Sequence, residues 1–353
     1  MSYIAFLAGL GFLLVGAEML VRGASRLAAR FGVSSLIIGL TVVAFGTSSP
    51  ELAVSIKAAF ADQAAIAMGN VVGSNIFNVL FILGLSALVT PLLVAQQLIR
   101  FDIPLMVLLS VALFLLALDE RLSRLDGLLL ASGLIAYLGF LLYQNSRARA
   151  READEDGART QTDGAWLVNS VLVVAGLLLL VIGSRWLVDS AVAFAGYLGI
   201  SEQVIGLTIV AAGTSLPEVV TSLVAALRGE RDIAIGNVVG SNVFNLLGVL
   251  GVTSLLAPSG IDVTPAMVGF DIPVMIAVAL ICLPICFTGS TISRWEGALL
   301  LGYYVAYTLY LILAASQHDT LSGLTQIMLY AVLPLTILFL AISTIKELKR
   351  RTG

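Results

Sequence analysis

Apolar residues follow one another in long segments along nearly the whole chain, with short polar connections between them. An α-helix needs about 20 mostly apolar residues to cross the hydrocarbon core of a bilayer. Eleven segments are of about this length, so the pattern predicts eleven transmembrane helices. They cover residues 3–21, 36–59, 66–93, 102–118, 125–143, 165–189, 203–227, 233–256, 268–288, 295–315 and 321–345.

The composition agrees with this pattern. The chain has 353 residues, of which 59% are hydrophobic and 12% are charged, as is typical of an all-α integral membrane protein. No basic residues precede the first segment, which we interpret as a retained helix rather than a cleaved signal peptide. Cys282 and Cys286 lie one turn apart in an apolar segment, so neither a disulfide framework nor a zinc site is predicted.

The positions of Lys and Arg predict the orientation in the membrane, because short cytoplasmic loops retain these residues. With the N-terminus outside, most of the 19 Lys and Arg residues fall on the cytoplasmic side. The exceptions are Lys57, Arg121, Arg124 and Arg185. The C-terminus is then cytoplasmic, with the basic residues Lys346, Lys349, Arg350 and Arg351.

The two halves of the chain are copies of each other. Residues 36–84 align without a gap with residues 203–251, and more than half of the aligned positions are identical. Five predicted helices separate equivalent segments, so the second copy crosses the membrane in the opposite direction. Such inverted repeats are typical of secondary transporters, whose substrate site lies near the middle of the membrane. We therefore predict a five-helix repeat over 1–143, a charged linker over 144–164, a second, inverted five-helix repeat over 165–315, and an eleventh helix with a basic tail over 316–353.

Each repeat places a proline and a glutamate inside an apolar segment, in G-T-S-S-P-E at 46–51 and in G-T-S-L-P-E at 213–218. Proline has no N–H and crowds the carbonyl four residues before it, so we expect broken helices with carbonyls near Gly46 and Gly213 that lack a helical partner. A bound cation would satisfy such carbonyls within a membrane. In each motif a hydroxyl and a carboxylate lie four residues apart and share one helix face: Thr47 with Glu51, and Thr214 with Glu218.

The next helix of each repeat carries a polar stripe, in G-N-V-V-G-S-N-I-F-N at 69–78 and in G-N-V-V-G-S-N-V-F-N at 236–245. Its G-x-x-x-G spacing allows a neighbouring helix to approach closely. The four helices would enclose oxygen atoms and two carboxylates without His or Cys, a ligand set that favours Na⁺, Ca²⁺ or related hard cations. The stripe residues recur every four positions as Asn70, Ser74 and Asn78, and as Asn237, Ser241 and Asn245.

These paired blocks resemble the two alpha-repeats of the calcium/cation antiporter superfamily, in particular the Na⁺/Ca²⁺ exchanger branch and its prokaryotic members. The resemblance extends over about residues 1–315 and implies electrogenic exchange of Na⁺ for Ca²⁺ by alternating access, with the first and sixth helices sliding against the rest. It further implies a prokaryotic plasma membrane, with Na⁺, Ca²⁺ and the bilayer as partners. No cofactor, nucleic acid or obligate protein partner is expected, and no enzymatic activity.

The resemblance also implies a set of cation ligands. Glu51 and Glu218 would be the central ligands. The others would be the hydroxyl or amide oxygens of Thr47, Thr214, Ser48, Ser215, Ser74, Ser241, Asn78 and Asn245, and the backbone carbonyls of Ala44 and Ala211.

Three features depart from the family pattern and leave alternatives open. Position 245 is Asn where K⁺-dependent members carry Asp, the G-N-x-x-E-H block of Ca²⁺/H⁺ exchangers is absent, and the eleventh segment has no family role. A Ca²⁺/H⁺ or other divalent cation exchanger is the alternative within transporters, because a glutamate in a polar pocket can also bind a proton. A cation channel could use the same oxygens. An intramembrane hydrolase would need a catalytic constellation that does not accompany the two glutamates.

Other charged residues in the apolar segments have structural interpretations. Glu18 with Arg22, and Arg185 with Asp189, stand four residues apart, which predicts two ion pairs. Asp102 and Asp271 each precede Ile-Pro at the start of an apolar segment, and we expect them to cap the helices that follow.

Overall fold

The computed structural model describes residues 2–61, 63–155, 165–197, 211–316 and 320–352, and these are almost entirely helical. Within these ranges nine helices are long and apolar enough to cross a membrane, and one bent pair makes a tenth. The helices of the first half are α1 (Ser2–Phe31), α2 (Ser35–Thr47), α3 (Ser49–Phe60), α4 (Ala64–Val89), α5 (Leu98–Asp119) and α6 (Arg124–Glu155).

The second half has the same order of elements and ends with one additional helix. Its helices are α7 (Ala165–Tyr197), α8 (Ala211–Thr214), α9 (Leu216–Leu227), α10 (Arg231–Leu256), α11 (Met267–Ser290), α12 (Arg294–Ala315) and α13 (Thr320–Arg350).

Ten of the eleven predicted spans correspond to helices that are long and apolar enough to cross a membrane, with the bent pair counted as one. The predicted second span is the bent pair of α2 and α3, whose axes differ by 42°. The predicted seventh span is described only from Ala211 onward, as α8 and α9, and residues 203–210 lie outside the described residues. The predicted boundary at residue 144 is not a helix end: α6 continues to Glu155 because residues 144–155 are rich in Ala, Arg and Glu, which are strong helix formers.

Helices α1 and α7 pack against each other along a seam of glycines. A Cβ atom at Gly16 would lie 2.8 Å from the carbonyl oxygen of Gly176, and one at Gly183 would lie 2.7 Å from that of Gly9. Only residues without a side chain allow two helix backbones to approach so closely. The first helix of one repeat and the first helix of the other therefore form a tight pair.

Two short sheets, which the hydrophobic pattern did not predict, join the two repeats. Strand β1 (Leu92–Leu93) pairs with β4 (Thr291–Ile292), and β2 (Arg121–Leu122) pairs with β3 (Ile261–Asp262), both antiparallel. Each sheet takes one strand from each repeat. At two residues per strand these elements are too short for any periodicity to show.

The core lies around the two polar-striped helices. Within the described residues, α10 is buried along its whole membrane-spanning length and α4 along most of it, whereas α12 and α13 lie at the periphery. The additional helix α13 rests on α12, where Tyr303 donates a 2.6 Å hydrogen bond to Thr336 and the rings of Trp295 and Phe339 meet edge to face. This arrangement places the polar stripes at the centre of the molecule and α13 far from them.

The predicted ion pair of Glu18 with Arg22 is confirmed, and Glu18 also pairs with Arg228 at the end of α9. The pair predicted for Arg185 and Asp189 is not among the ion pairs of the described residues. The expected helix caps at Asp102 and Asp271 are wrong. The carboxylate of Asp102 makes no capping bond and instead accepts a 3.0 Å hydrogen bond from Tyr137, while Asp271 accepts one of 2.9 Å from Tyr307. Each aspartate thus ties two successive helices of its repeat together.

Candidate cation site

A break in the backbone positions each glutamate. Ser48 separates α2 from α3 with φ −82° and ψ 5°, and Pro50 opens α3, so that Glu51 stands in its first turn. The second repeat breaks in the same way at Ser215, with φ −88° and ψ 7°, and Glu218 stands in the first turn of α9. The N-terminal turn of a helix favours a carboxylate, because its free N–H groups carry partial positive charge.

The two carboxylates are buried and connected across the repeats. Both Glu51 and Glu218 are 1% exposed. Ser48 Oγ donates a 3.0 Å hydrogen bond to Glu218 Oε1, and Ser215 Oγ donates one of 3.0 Å to Glu51 Oε1. The hydroxyl at the break of one repeat therefore binds the glutamate of the other, which brings both breaks into a single cluster.

The first asparagine of each polar stripe forms hydrogen bonds with the turn that carries a glutamate. Asn70 Nδ2 donates to the Glu51 carbonyl at 3.1 Å and to Ser55 Oγ at 3.0 Å, and Asn70 Oδ1 accepts from Thr214 at 3.4 Å. Each stripe therefore fixes the turn that carries its own glutamate and contacts the threonine of the other repeat. The second repeat makes the equivalent bonds with Asn237, Glu218, Ser222 and Thr47.

Hydrogen bonds link seven of the ten predicted side chains at the two breaks, and the other three are buried on the two stripes; we call all ten the central cluster. Ser74 Oγ accepts a 3.1 Å hydrogen bond from Ser215, and Ser241 is fully buried one turn before Asn245. The members of the central cluster are Glu51, Glu218, Thr47, Thr214, Ser48, Ser215, Ser74, Ser241, Asn78 and Asn245.

Half of the central cluster carries a buried side-chain oxygen that has no hydrogen-bond partner among the described residues. Carboxylate and amide oxygens can only accept, and leaving them unpaired in a buried region costs free energy. A bound cation would satisfy them, because hard cations coordinate carboxylate, amide and hydroxyl oxygens. The unpartnered atoms are Glu51 Oε2, Glu218 Oε2, Asn78 Oδ1, Asn245 Oδ1 and Ser241 Oγ.

The backbone carbonyls at the breaks accept hydrogen bonds, although the sequence predicted that they would lack a partner. The Ala44 carbonyl accepts from Ser48 N–H at 3.0 Å and from Thr47 Oγ1 at 3.4 Å. The Gly213 carbonyl, four residues before Pro217, accepts a 2.7 Å hydrogen bond from Ser184 of α7 rather than remaining open to a cation. Ala211 begins α8 next to the undescribed residues, so its role as a ligand stays a prediction.

Two buried asparagines that the sequence analysis did not select complete the region. Asn75 and Asn242 lie one residue beyond the stripe serines, where α4 crosses α10. Asn78 Nδ2 donates a 2.9 Å hydrogen bond to Asn242 Oδ1, and Asn245 Nδ2 donates one of 3.1 Å to Asn75 Oδ1. Asn75 and Asn242 occupy equivalent positions of the two repeats, and this could have identified them. They were missed because they do not share the four-residue spacing of the stripe.

The charge of the central cluster is set by its two carboxylates. Among the described residues, no Lys or Arg forms an ion pair with Glu51 or Glu218. The same residues contain no group of three or more His, Cys, Asp or Glu side chains that could hold a metal ion. The oxygens available in the central cluster are therefore those of two carboxylates and of the neutral side chains around them.

Comparison with known proteins agrees with this chemistry. The family model described as sodium/calcium exchanger protein matches residues 1–143 and 168–313. The chain belongs to the sodium/calcium exchanger family. The matched ranges of this family contain every member of the central cluster and end before α13.

Several relatives of this exchanger family are similar over most of their length. The sodium/calcium exchanger MaX1 of Methanosarcina acetivorans is 36% identical over 341 residues, which cover 87% of this chain and 97% of that protein. The inner membrane protein YrbG of Escherichia coli is 39% identical over 304 residues, covering 85% and 93%. A solved structure of the sodium-calcium exchanger NCX_Mj superimposes with a TM-score of 0.75 at 32% identity, covering 90% of this chain and 99% of that one.

Proposed function

We propose that this chain is a secondary active antiporter that exchanges Na⁺ for Ca²⁺ across a membrane by alternating access. The observation that carries the proposal is the pair of buried, cross-connected carboxylates, each with one unpartnered oxygen. Two carboxylates give a charge of about −2, which one Ca²⁺ or two Na⁺ would neutralise. Because either ion would occupy the same oxygens, the two would compete for the site, as exchange requires.

We assign the cation ligands to the central cluster. Glu51 and Glu218 supply the charge, and the unpartnered oxygens of Asn78, Asn245 and Ser241 are suited to complete the coordination shell. The hydroxyls at the breaks donate to carboxylates or amides and retain lone pairs for a cation. The proposed ligands also include the hydroxyls of Thr47, Thr214, Ser48, Ser215 and Ser74 and the carbonyls of Ala44 and Ala211.

The tight pair of α1 and α7 is suited to be the moving part. Backbone contacts at Gly9, Gly16, Gly176 and Gly183 hold these helices together. A unit that slides as a whole can open the central cluster to one side of the membrane and close it to the other. The remaining helices, joined between repeats by the two short sheets, would form the stationary body.

The test is transport by the purified protein in sealed proteoliposomes. We expect vesicles loaded with Na⁺ to accumulate radiolabelled Ca²⁺ when diluted into Na⁺-free medium, and we expect an equal K⁺ or H⁺ gradient to drive no uptake. Protein-free liposomes are the control for leakage. Uptake driven by the H⁺ gradient and not by Na⁺ would reject the proposal in favour of Ca²⁺/H⁺ exchange, the second candidate, because the unpartnered carboxylate oxygens could also hold protons.

We further propose that the protein lies in a prokaryotic plasma membrane with its N-terminus outside and its C-terminus in the cytoplasm. The distribution of Lys and Arg supports this orientation. The natural cysteines, Cys282 and Cys286, are both buried. Labelling of a cysteine introduced at the surface therefore shows on which side of the membrane that residue lies. In intact cells, an impermeant maleimide should label Ala61→Cys, at the exposed end of α3, but not Gly353→Cys. Labelling of the C-terminal cysteine in intact cells would contradict this topology.

We expect removal of residues 318–353 to leave Na⁺-driven Ca²⁺ uptake intact. The deleted segment contains α13, which lies outside the family match and at the periphery of the fold. Uptake per inserted molecule in proteoliposomes is the measurement. Loss of exchange by a truncated protein that still elutes as a monodisperse species would show that α13 has a part in transport.

A further inference from the structure

Four buried amides form a closed arrangement at the crossing of α4 and α10, which we call the amide bracket. Its members are Asn75, Asn78, Asn242 and Asn245, and none is more than 2% exposed. Asn75 Nδ2 donates to the Asn242 carbonyl at 3.3 Å, and Asn242 Nδ2 donates to the Asn75 carbonyl at 3.4 Å. The two outer amides donate to the two inner ones, at 2.9 Å from Asn78 and at 3.1 Å from Asn245.

The hydrogen bonds determine which way each amide faces. A backbone carbonyl can only accept, so Asn75 must turn its Nδ2 toward the Asn242 carbonyl. Its Oδ1 then faces Asn245 and can only accept, which requires Asn245 to present Nδ2. The oxygen of Asn245 therefore points away from Asn75. In the same way, Asn242 turns its Nδ2 toward the Asn75 carbonyl, and its Oδ1 accepts from Asn78 Nδ2. The oxygen of Asn78 therefore points away from Asn242.

The oxygens that the amide bracket directs outward are two of the unpartnered atoms of the central cluster. Asn78 Oδ1 and Asn245 Oδ1 are buried and have no hydrogen-bond partner among the described residues. Asn78 lies one turn after Ser74 on the same helix face, and Ser74 contacts the serine that binds Glu51. The outer amides therefore lie on the stripes that border the central cluster, with oxygens that no described residue satisfies.

We propose that Asn75 and Asn242 are positioning residues that fix the oxygens of Asn245 and Asn78 as cation ligands and require those two positions to be neutral hydrogen-bond donors. The proposal rests on the proposed cation exchange and adds the residues that set its ligand geometry. The inner residues contact no cation themselves. By requiring a donor at positions 78 and 245, they keep the charge of the central cluster at that of Glu51 and Glu218 alone.

We expect the effects of substitutions at Asn75 and at Asn245 to depend on each other, although the two residues lie on different helices, α4 and α10. Asn75→Leu removes the acceptor that orients Asn245, so the amide of Asn245 can turn its Nδ2 toward the site. We expect the half-saturating Ca²⁺ concentration to rise about tenfold, the effect of losing one buried ligand interaction. In an Asn245→Ala background the same substitution should have no further effect, whereas in an Asn78→Ala background its effect should be nearly complete.

Equilibrium binding of radiolabelled Ca²⁺ to the purified full-length protein measures these effects. Coupling of Asn75 with Asn245 supports positioning, because the two residues lie on different helices. Equal effects in both alanine backgrounds, or stronger coupling with Asn78 on the same helix, would indicate distortion of α4 and overturn the proposal. Ser110→Ala is the control, since Ser110 is equally buried on α5 but bonds only the Met106 carbonyl, and it should leave binding unchanged.

A second variant keeps the proposal testable if Asn75→Leu does not fold. Asn245→Asp preserves the size of the side chain but places an acceptor against Asn75 Oδ1, which is also an acceptor. We expect this variant to bind Ca²⁺ no more tightly than the unmodified protein, although it adds a carboxyl group at a cation site. Tighter Ca²⁺ binding by Asn245→Asp would show that position 245 need not donate and would overturn the proposal.

Discussion

Replacement of Glu51 by Gln is expected to abolish Na⁺-driven Ca²⁺ uptake while the protein remains folded in the membrane, and Glu218→Gln should act in the same way. Glutamine keeps the size of the side chain and an oxygen that can accept from the serine of the other repeat. It removes half of the charge that offsets dehydration of a divalent ion, and it puts an N–H donor where an unpartnered oxygen stands. Loss of one buried charge partner costs about 3–5 kcal/mol, which corresponds to at least about a hundredfold loss of affinity.

Uptake of radiolabelled Ca²⁺ into Na⁺-loaded proteoliposomes measures this loss, with the amount of reconstituted protein determined in the same vesicles. Glu347→Gln is the matched control, because Glu347 is also buried but lies on α13 outside the family match. We expect the control to transport normally. Near-normal uptake by both Glu51→Gln and Glu218→Gln would place the cation site elsewhere in the protein.

The exchange is also expected to depend on membrane potential. One Ca²⁺ neutralises the two carboxylates, so the Ca²⁺-loaded form would cross the membrane nearly neutral. The neutral oxygens of the central cluster, Ser241 Oγ among them, offer ligands for a third Na⁺, and the Na⁺-loaded form would then carry a net positive charge. Each net charge that crosses the membrane is worth about 2.3 kcal/mol per 100 mV. A negative interior should therefore favour Na⁺ entry and Ca²⁺ extrusion.

Proteoliposomes with fixed Na⁺ and Ca²⁺ gradients and a potential set by K⁺ and valinomycin test this expectation. The K⁺ gradient alone must first be shown to drive no Ca²⁺ flux. We expect Ca²⁺ uptake to accelerate when the vesicle interior is positive and to slow when it is negative. A Ca²⁺ flux that ignores the sign of the potential would indicate an electroneutral cycle with two monovalent ions per Ca²⁺.

The sequence predicted the parts of the site that repeat along the chain. The offset between the two copies identified Glu51 and Glu218 as equivalent, and the four-residue spacing selected the stripe serines and asparagines. The alignment shows which positions are equivalent, but it does not show which side chains are in contact. That Ser48 would bind Glu218 and not Glu51 depends on how the two repeats pack, and no local pattern contains that information.

The predictions about individual polar side chains and carbonyls that were wrong or missing depend on distant contacts. Asp102 resembles a helix cap in the sequence, but Tyr137, thirty-five positions later, supplies its partner. The carbonyl that Pro217 frees is bound by Ser184 of another helix. Asn75 has no distinguishing spacing of its own, and its importance follows only from Asn242 and Asn245 lying opposite it.

Na⁺ and Ca²⁺ are expected to compete for one site, and equilibrium binding of radiolabelled Ca²⁺ to the purified protein at increasing Na⁺ measures this competition. K⁺ replaces Na⁺ to keep the ionic strength constant. We predict one Ca²⁺ bound per polypeptide, full displacement by Na⁺ with a Hill coefficient above two, no displacement by K⁺, and no specific binding when both Glu51 and Glu218 are replaced by Gln. Ca²⁺ that stays bound at saturating Na⁺, or that still binds without both glutamates, would show that the two ions do not share a site at Glu51 and Glu218.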